Sequence, residues 1–212
     1  MLLLLYIYLN KRCKKEIIMK QEILDNRNNP TSMENTEEAS NAVFFQTDTI
    51  CIRNVQASEG KMVSEIEHAC FSSNVADNED VMIQRAICAG DEMLVVVDKN
   101  TKDIIAYMNA IVTNEEHMRD AFFEDNTLHN PQGENVMILG IGVLSKYRNC
   151  GIAKELLNQF INLEKQRGRK KIFLTCHIEL VAMYERFGFS FVGKSQSILG
   201  GEEWFEMVLD LQ

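Results

Sequence analysis

Residues 136–153 read V-M-I-L-G-I-G-V-L-S-K-Y-R-N-C-G-I-A, an apolar run, a short polar link and the start of a helix. The run Val136–Val143 has the length and apolar content of a buried strand, and Gly140 and Gly142 interrupt it. Glycines inside a strand indicate a bulge or a close backbone approach. We therefore expect this strand to separate from its neighbour and open a slot. The alternative is that the glycines only loosen the strand.

The link after this strand has the features of an anion-binding site. It reads Arg148-Asn149-Cys150-Gly151-Ile152-Ala153 and leads into an amphipathic helix predicted from Gly151 to about Gly168. A helix N-terminus offers unpaired N–H groups, and a glycine lets a phosphate come close to the backbone. A tight turn that merely packs the helix explains the same residues. The P-loop and dinucleotide-binding motifs are both missing from the sequence.

Predicted strands and helices alternate on both sides of this segment. The strands fall near residues 49–55, 93–97, 104–112, 136–143, 172–176, 190–192 and 204–209. The helices fall near residues 58–71, 77–87, 115–123, 151–168 and 180–187. This order predicts one α/β domain in which helices pack against a mixed sheet.

The N-terminal part of the chain has a different character. Residues 1–48 are predicted to be a disordered extension, which leaves residues 49–212 as the domain. The apolar run at residues 1–9 is less than half of the about 20 residues that span a bilayer, so we expect no membrane span. Basic residues follow this run, whereas in a secretory signal they precede it. A short membrane-associating tail and an extended gene start, with Met19 as initiator, are both compatible with the sequence.

The composition excludes several classes of protein. The chain has 212 residues, 46% of them apolar and 25% charged, which excludes fibrous chains and disorder throughout. The net charge of −9 disfavours a nucleic-acid partner and is compatible with a cationic substrate. The six cysteines form no C-x-x-C pair, so we expect no disulfide framework, no metal site and a reducing, cytoplasmic location.

A second motif, M-Y-E-R-F-G-F at residues 183–189, follows the first by one helix, one strand and one more helix. Together with I-G-V-x-x-x-Y-R-x-x-G-I-A at residues 141–153, it resembles the GNAT superfamily of N-acetyltransferases. The resemblance implies the GNAT fold, a mixed central β-sheet flanked by helices on both faces and splayed at the acetyl-CoA site. It also implies acetyl-CoA as the cosubstrate.

This resemblance assigns roles to individual residues. The pyrophosphate of acetyl-CoA would bind the loop made of Arg148, Asn149, Cys150, Gly151, Ile152, Ala153 and Lys154. The pantetheine arm would bind the strand at Ile141, Gly142 and Val143. Ala153 stands where the family motif often has a second glycine.

The resemblance and the chemistry of acyl transfer also predict catalytic groups. Tyr184 would face the sulfur and protonate the leaving thiolate, and a backbone N–H near Ile141 would donate to the oxyanion. For the base that takes the proton of the amine, His177 is one candidate and Glu179 is another. Proton loss through ordered water is a third option.

A narrower resemblance is to the arylalkylamine (serotonin) N-acetyltransferases. The segments that carry it are I-E-H-A-C-F at residues 66–71, L-H-N-P-Q-G at residues 128–133 and the stretch from 175 to 189. It implies direct attack by a small primary amine in a ternary complex, with Phe71, Leu139 and Thr175 in the amine site. Phe71 as an ordinary core residue is the alternative. An H-x-H pair of vertebrate members is replaced here by Met137 and Leu139, so the non-vertebrate branch is the better match.

Two other functions fit the same sequence. One is acetylation of polyamines or of protein amines, and the other is binding of acyl-CoA without turnover. The sequence leaves the acceptor amine and the oligomeric state open.

Overall fold

Eight strands and five α-helices follow one another along residues 43–212, the part of the chain that the computed structural model describes. The strands are β1 Val43–Gln46, β2 Ile50–Asn54, β3 Met93–Asp98, β4 Ile104–Thr113, β5 Asn135–Val143, β6 Lys171–Cys176, β7 Ser190–Lys194 and β8 Phe205–Asp210. The helices are α1 Gly60–Cys70, α2 Glu79–Cys88, α3 Ala121–Glu124, α4 Ile152–Gln166 and α5 Ile178–Glu185. The predicted α/β class is confirmed.

The strands form one mixed sheet in the order β1-β2-β3-β4-β5-β6-β8-β7, in which only β5 and β6 run parallel. These two strands pair with each other only over Asn135–Met137 and Lys171–Phe173. Beyond these residues each strand pairs only with its outer neighbour, β5 with β4 and β6 with β8, so a gap opens between them. A bulge in β5 lies at the same place, because Asn109 faces Gly140 while Ala110 faces Ile138. The sheet is therefore splayed, as the two glycines predict.

The second of these glycines is required by close packing. A Cβ atom on Gly142 would lie 2.4 Å from Cε1 of Tyr107, which is buried on β4. The ring of Tyr107 therefore occupies the space that a side chain at position 142 would need. The alternative that the glycines merely loosen the strand does not account for this contact.

Helices cover both faces of the sheet. On one face α4 and α5 bury Leu156, Phe160 and Tyr184 against the central strands. On the other face α1 and α2 bury Val63 and Met82 against β3 and β4. Both layers are held by burial of apolar side chains against the sheet.

The sheet begins earlier than residue 49. Strand β1 lies in the predicted extension and pairs with β2, with Phe45 opposite Ile52. Phe44 and Phe45 pack against the main core, which explains why this short segment joins the sheet. Residues 1–42, the rest of the predicted extension, lie outside the described residues. No helix within 43–212 is both long and apolar enough to cross a membrane.

One predicted helix is mostly absent. Residues 115–123 were expected to be helical, but only α3 forms at the end of this stretch. The carboxylate of Glu206 on β8 accepts the N–H of Met118 at 3.1 Å and contacts Nδ1 of His117 at 3.0 Å. These contacts hold residues 117 and 118 against the sheet in place of helical hydrogen bonds.

Candidate functional site

A cleft of about 480 Å³ lies where β5 leaves β6, at the N-terminus of α4. Of the ten residues predicted to bind acetyl-CoA, seven line it: Ile141, Val143, Arg148, Asn149, Gly151, Ile152 and Ala153. The other three, Gly142, Cys150 and Lys154, belong to the same segments without lining it. Cys70, Phe71 and Tyr147 add to the lining. We call this cavity the cofactor cleft.

The loop at the mouth of this cleft has the shape of an anion cradle. Asn149 has a φ of 63° and Gly151 a φ of 81°, both in the left-handed region. A Cβ atom on Gly151 would meet no heavy atom within 4 Å, so the space above this residue is open. The N–H of Glu155 donates to the carbonyl of Gly151 at 3.0 Å, as in the first turn of an α-helix. The N–H groups of residues 152–154 precede it and have no carbonyl acceptor within the helix. The loop therefore fits a diphosphate.

The backbone of β5 also contributes to the cofactor cleft. The N–H of Leu144 donates to the carbonyl of Ile105 at 3.0 Å, on the side of β4. Because hydrogen-bonding directions alternate along an antiparallel strand, the polar groups of Ile141 and Val143 point the other way, into the gap. The carbonyl of Val143 accepts there from Nε of Arg148 at 2.9 Å. The N–H and carbonyl of Ile141 therefore face the splay.

A second cleft, of about 600 Å³, lies beyond Ile141, and we call it the acceptor cleft. The predicted substrate residues Phe71, Leu139 and Thr175 line it, and so do the predicted catalytic residues Tyr184 and His177. Phe71 and Ile141 line both clefts. The two cavities thus meet at these residues, beside the splay.

The acceptor cleft has mainly apolar and aromatic walls. Besides Phe71, it is lined by Phe123, Leu180, Leu199 and Trp204. Trp204 is the single tryptophan of the chain, and its Nε1–H donates to the carbonyl of Leu199 at 2.9 Å. The sequence pattern predicts a strand that begins at Trp204, whereas the structure places this residue just before β8, in the wall of the cleft. A pocket of this kind suits an acceptor with a flat apolar body.

Glu67 is a carboxylate in this wall that sequence reasoning left without a role. It lies on α1, is 5% exposed and lines the acceptor cleft. Its Oε1 accepts the N–H of Asp77 at 3.2 Å, while its Oε2 has no hydrogen-bond partner among the described residues. Burial, and then the charge of Asp77, raise the pKa of Glu67 to about 8. A signal was available, because Val63, Ile66, Glu67 and Cys70 share the buried face of α1.

Asp77 also lines the acceptor cleft, but its charge is compensated. It forms a buried ion pair with Arg85, which is 0% exposed. The guanidinium of Arg85 also donates to Oδ1 of Asn126 at 2.9 Å and to the carbonyl of Phe123 at 2.8 Å. The Asp77–Arg85 pair therefore forms part of the structural support behind Glu67.

Tyr184 and His177 lie on the β6–α5 side of the acceptor cleft. Tyr184 is buried and packs edge-on against Phe189, with the ring centroids 5.7 Å apart. Burial raises the pKa of Tyr184 above its usual value, so its hydroxyl stays protonated at neutral pH. The ring of His177 packs on Trp204 at 4.4 Å, and its Nε2 lies 3.1 Å from Oε2 of Glu202 without a hydrogen bond. His177 therefore presents a buried Nε2 to Glu202.

Comparison with known proteins identifies this arrangement. Residues 61–189, more than half of the chain, match the Acetyltransferase (GNAT) family. The chain belongs to this family. As a GNAT acetyltransferase it is an acyl-CoA-dependent acyltransferase, and the splayed sheet and the loop before α4 lie in the matched range.

Solved structures of the same fold agree. The loading GNATL domain of CurA from Lyngbya majuscula superposes with a TM-score of 0.66 and 12% identity over 78% of this chain and 99% of that chain. The diaminobutyrate acetyltransferase EctA from Paenibacillus lautus, solved with its substrate and coenzyme A, superposes with a TM-score of 0.55 and 16% identity. This match covers 77% of this chain and 96% of EctA. The protein yncA from Salmonella typhimurium, solved with its cofactor acetyl-CoA, superposes with a TM-score of 0.57 and 14% identity. This match covers 78% of this chain and 95% of yncA. At these identities the likeness shows the fold alone.

Proposed function

We propose that this GNAT acetyltransferase transfers the acetyl group of acetyl-CoA to a small primary arylalkylamine, such as tryptamine or serotonin. The observation that carries the proposal is the meeting of two chemically different clefts at Phe71 and Ile141. One is formed by an anion-binding loop and the other has aromatic walls and a buried carboxylate. The amine would attack the thioester carbon directly in a ternary complex, so that a C–N bond forms and the C–S bond then breaks without an acetylated enzyme.

The cofactor cleft has groups for each part of the cosubstrate. The N–H groups of residues 152–154 and the open space above Gly151 would hold the diphosphate. The backbone of Ile141 faces the splay and would donate its N–H to the carbonyl oxygen of the acetyl group. Bound acetyl-CoA supplies the activated acetyl thioester. These groups would align the reacting carbon with the junction between the clefts.

Glu67 would take the first proton from the acceptor. A primary amine arrives as an ammonium ion and must lose one proton before its nitrogen can attack. Glu67 lines the acceptor cleft with a free oxygen, and its raised pKa suits proton exchange close to neutral pH. The N–H bond of the ammonium breaks and an O–H bond forms on Glu67. His177 remains a predicted alternative, but its Nε2 faces Glu202.

Tyr184 would supply the proton that the leaving sulfur needs. Its hydroxyl is protonated at neutral pH and belongs to the same cleft as Glu67. When the C–S bond breaks, the O–H bond of Tyr184 breaks and an S–H bond forms. As the amide forms, the second proton of the nitrogen would return to the oxygen of Tyr184, and Glu67 would release its proton to solvent before the next turnover.

The lining of the acceptor cleft favours an arylalkylamine over a polyamine. Of the two carboxyl groups that line it within the described residues, Asp77 is paired with Arg85, which leaves Glu67 to take a proton from one ammonium group. A polyamine would bring further ammonium groups against apolar walls, where their desolvation is unfavourable. An aromatic body instead matches Phe71 and Trp204. We also propose a cytoplasmic location, as expected from a chain whose cysteines form no C-x-x-C pair.

An amine panel tests the proposal. The full chain is incubated with acetyl-CoA and tryptamine, phenethylamine, spermidine or a lysine peptide, and free thiol is measured. We expect the two arylalkylamines to give the highest kcat/KM. A higher kcat/KM for spermidine or for the peptide would overturn the assignment in favour of that acceptor. Tight acetyl-CoA binding with no thiol release for any amine would instead indicate an acyl-CoA-binding module.

A further inference from the structure

Three buried oxygen atoms converge on Gly140, at the bulge of β5. They are Oε2 of Glu67, Oη of Tyr107 and Oδ1 of Asn109, and none has a hydrogen-bond partner among the described residues. A Cβ atom on Gly140 would lie 3.6 Å, 3.0 Å and 3.5 Å from them, respectively. The missing side chain of Gly140 thus leaves a small polar space that three side chains face.

Such a cluster is unfavourable unless something bridges it. A buried polar atom without a partner is unfavourable, and buried water molecules usually make about three hydrogen bonds. The hydroxyl of Tyr107 can donate, the amide oxygen of Asn109 accepts, and Oε2 of Glu67 accepts when this carboxyl group is ionised. Nδ2 of Asn109 contacts the sulfur of Met82 at 3.2 Å, which turns its oxygen toward Gly140. One water molecule, accepting from Tyr107 and donating to Glu67 and Asn109, satisfies all three.

We propose that Tyr107 and Asn109 are positioning residues that hold an ordered water molecule against Glu67, and that this water supports Glu67 as the proton acceptor. The inference rests on the proposed function of Glu67. Glu67 and Gly140 line the acceptor cleft, while Tyr107 and Asn109 lie behind them on β4. When Glu67 takes the proton of the ammonium, its hydrogen bond with the water reverses: the new O–H donates to the water, which still accepts from Tyr107 and donates to Asn109.

Other charged and titratable groups around Glu67 affect its pKa equally in the wild type and in the variants on β4. Asp77 and Arg85 act on it from the loop after α1 and from α2, and Cys70 lies on its own helix. None of these is altered by a substitution on β4. A change in the pH dependence after removal of the Tyr107 hydroxyl therefore reports on the water site.

The test is Tyr107→Phe, which keeps the ring that packs over Gly142. Without the hydroxyl the water loses its donor, and the carboxylate form of Glu67 is less well stabilised. We expect the acidic limb of kcat/KM for tryptamine to move up by about one pH unit, with unchanged acetyl-CoA affinity. The control is Thr113→Val, which removes a different buried hydroxyl from the same strand. It should leave the limb in place.

Two results distinguish the possible failures. If Glu67→Gln lowers activity but Tyr107→Phe leaves the limb where it is, the positioning role is wrong and the proposed base stands. If Glu67→Gln itself leaves activity unchanged, the proposed base is wrong. A high-resolution crystal structure is independent of how well the variants fold. It should show a water within about 3.2 Å of all three oxygens, and an unoccupied point there would overturn the proposal.

Discussion

The cofactor cleft and the acceptor cleft are built in different ways. Most residues that line the first belong to one continuous stretch, residues 141–153, and its proposed contacts to the cosubstrate are made by backbone groups of β5 and of the loop before α4. The second is assembled from side chains of α1, β5, β6, α5 and the loops before α2 and β8. A cleft made of backbone depends on chain geometry, whereas a cleft made of side chains depends on which residues the fold brings together.

This difference predicts which substitutions disrupt each cleft. In the cofactor cleft the sensitive positions are those that set the backbone conformation. In the acceptor cleft they are the side chains that carry charge, a proton or an aromatic surface.

Gly151→Asp should have the largest effect. The new carboxylate would repel the phosphates, and a side chain at a φ of 81° is strained. We expect the Kd for acetyl-CoA to rise by about a thousandfold in calorimetry, since like charges brought together cost several kcal/mol. Gly168→Asp is the matched control, because Gly168 has a φ of 75° and open surroundings outside the cleft. It should lower the melting temperature similarly and leave acetyl-CoA binding unchanged.

Glu67→Gln should be the most damaging change in the acceptor cleft. We expect kcat/KM for tryptamine to fall by about a thousandfold, within the range for loss of a general base. In the wild-type enzyme kcat/KM should rise with pH until about pH 8, the pKa of Glu67, and the variant should lose this limb. Glu65→Gln changes an exposed glutamate of the same helix and should behave as wild type. Equal effects of the two substitutions would contradict the assignment.

The same carboxylate should lower stability at high pH. Its pKa is raised from 4.5 to about 8 in the folded chain, so the folded state binds a proton that the unfolded state releases. The stability linked to this proton is present at acid pH and is lost as the pH rises through the folded pKa. Glutamine has no such titration. The melting temperature of Glu67→Gln, relative to that of the wild type, should therefore rise as the pH increases. A difference that does not change with pH would argue against a buried carboxyl group with a raised pKa.

Tyr184→Phe separates turnover from binding. The raised pKa makes Tyr184 a weak acid, so we expect kcat to fall by about a hundredfold, the lower end for loss of a general acid. The Kd for acetyl-CoA should stay the same, because the ring that packs on Phe189 is retained. A variant with normal kcat would show that the sulfur obtains its proton elsewhere.

Trp204→Leu should have the smallest of these effects. Loss of the aromatic wall should raise KM for tryptamine by about tenfold with little change in kcat, as expected for lost apolar contact. Phe191→Leu alters a half-exposed aromatic residue of β7 outside both clefts and serves as the control. If both variants had the same KM, Trp204 would not contact the acceptor.

The residues that line the cofactor cleft can be predicted from the sequence, because the features that shape this cleft are close together along the chain. The glycines of β5, the polar link and the start of α4 follow one another, so their spacing already indicates a strand, a turn and a helix N-terminus. The sequence does not reveal the proposed roles of Glu67 and Trp204, because these roles depend on tertiary contacts between distant elements. Residues 115–123 were assigned to a helix because nothing in that segment reveals the carboxylate of Glu206, 88 residues after Met118.

The initial-rate pattern with both substrates varied tests the central claim most directly. If the two clefts meet at Phe71 and Ile141, acetyl-CoA and the amine bind together and the acetyl group passes directly between them. Double-reciprocal plots for acetyl-CoA and tryptamine should then intersect, and no acetylated protein should accumulate when the amine is left out. Parallel lines with an acetylated protein intermediate would contradict direct transfer.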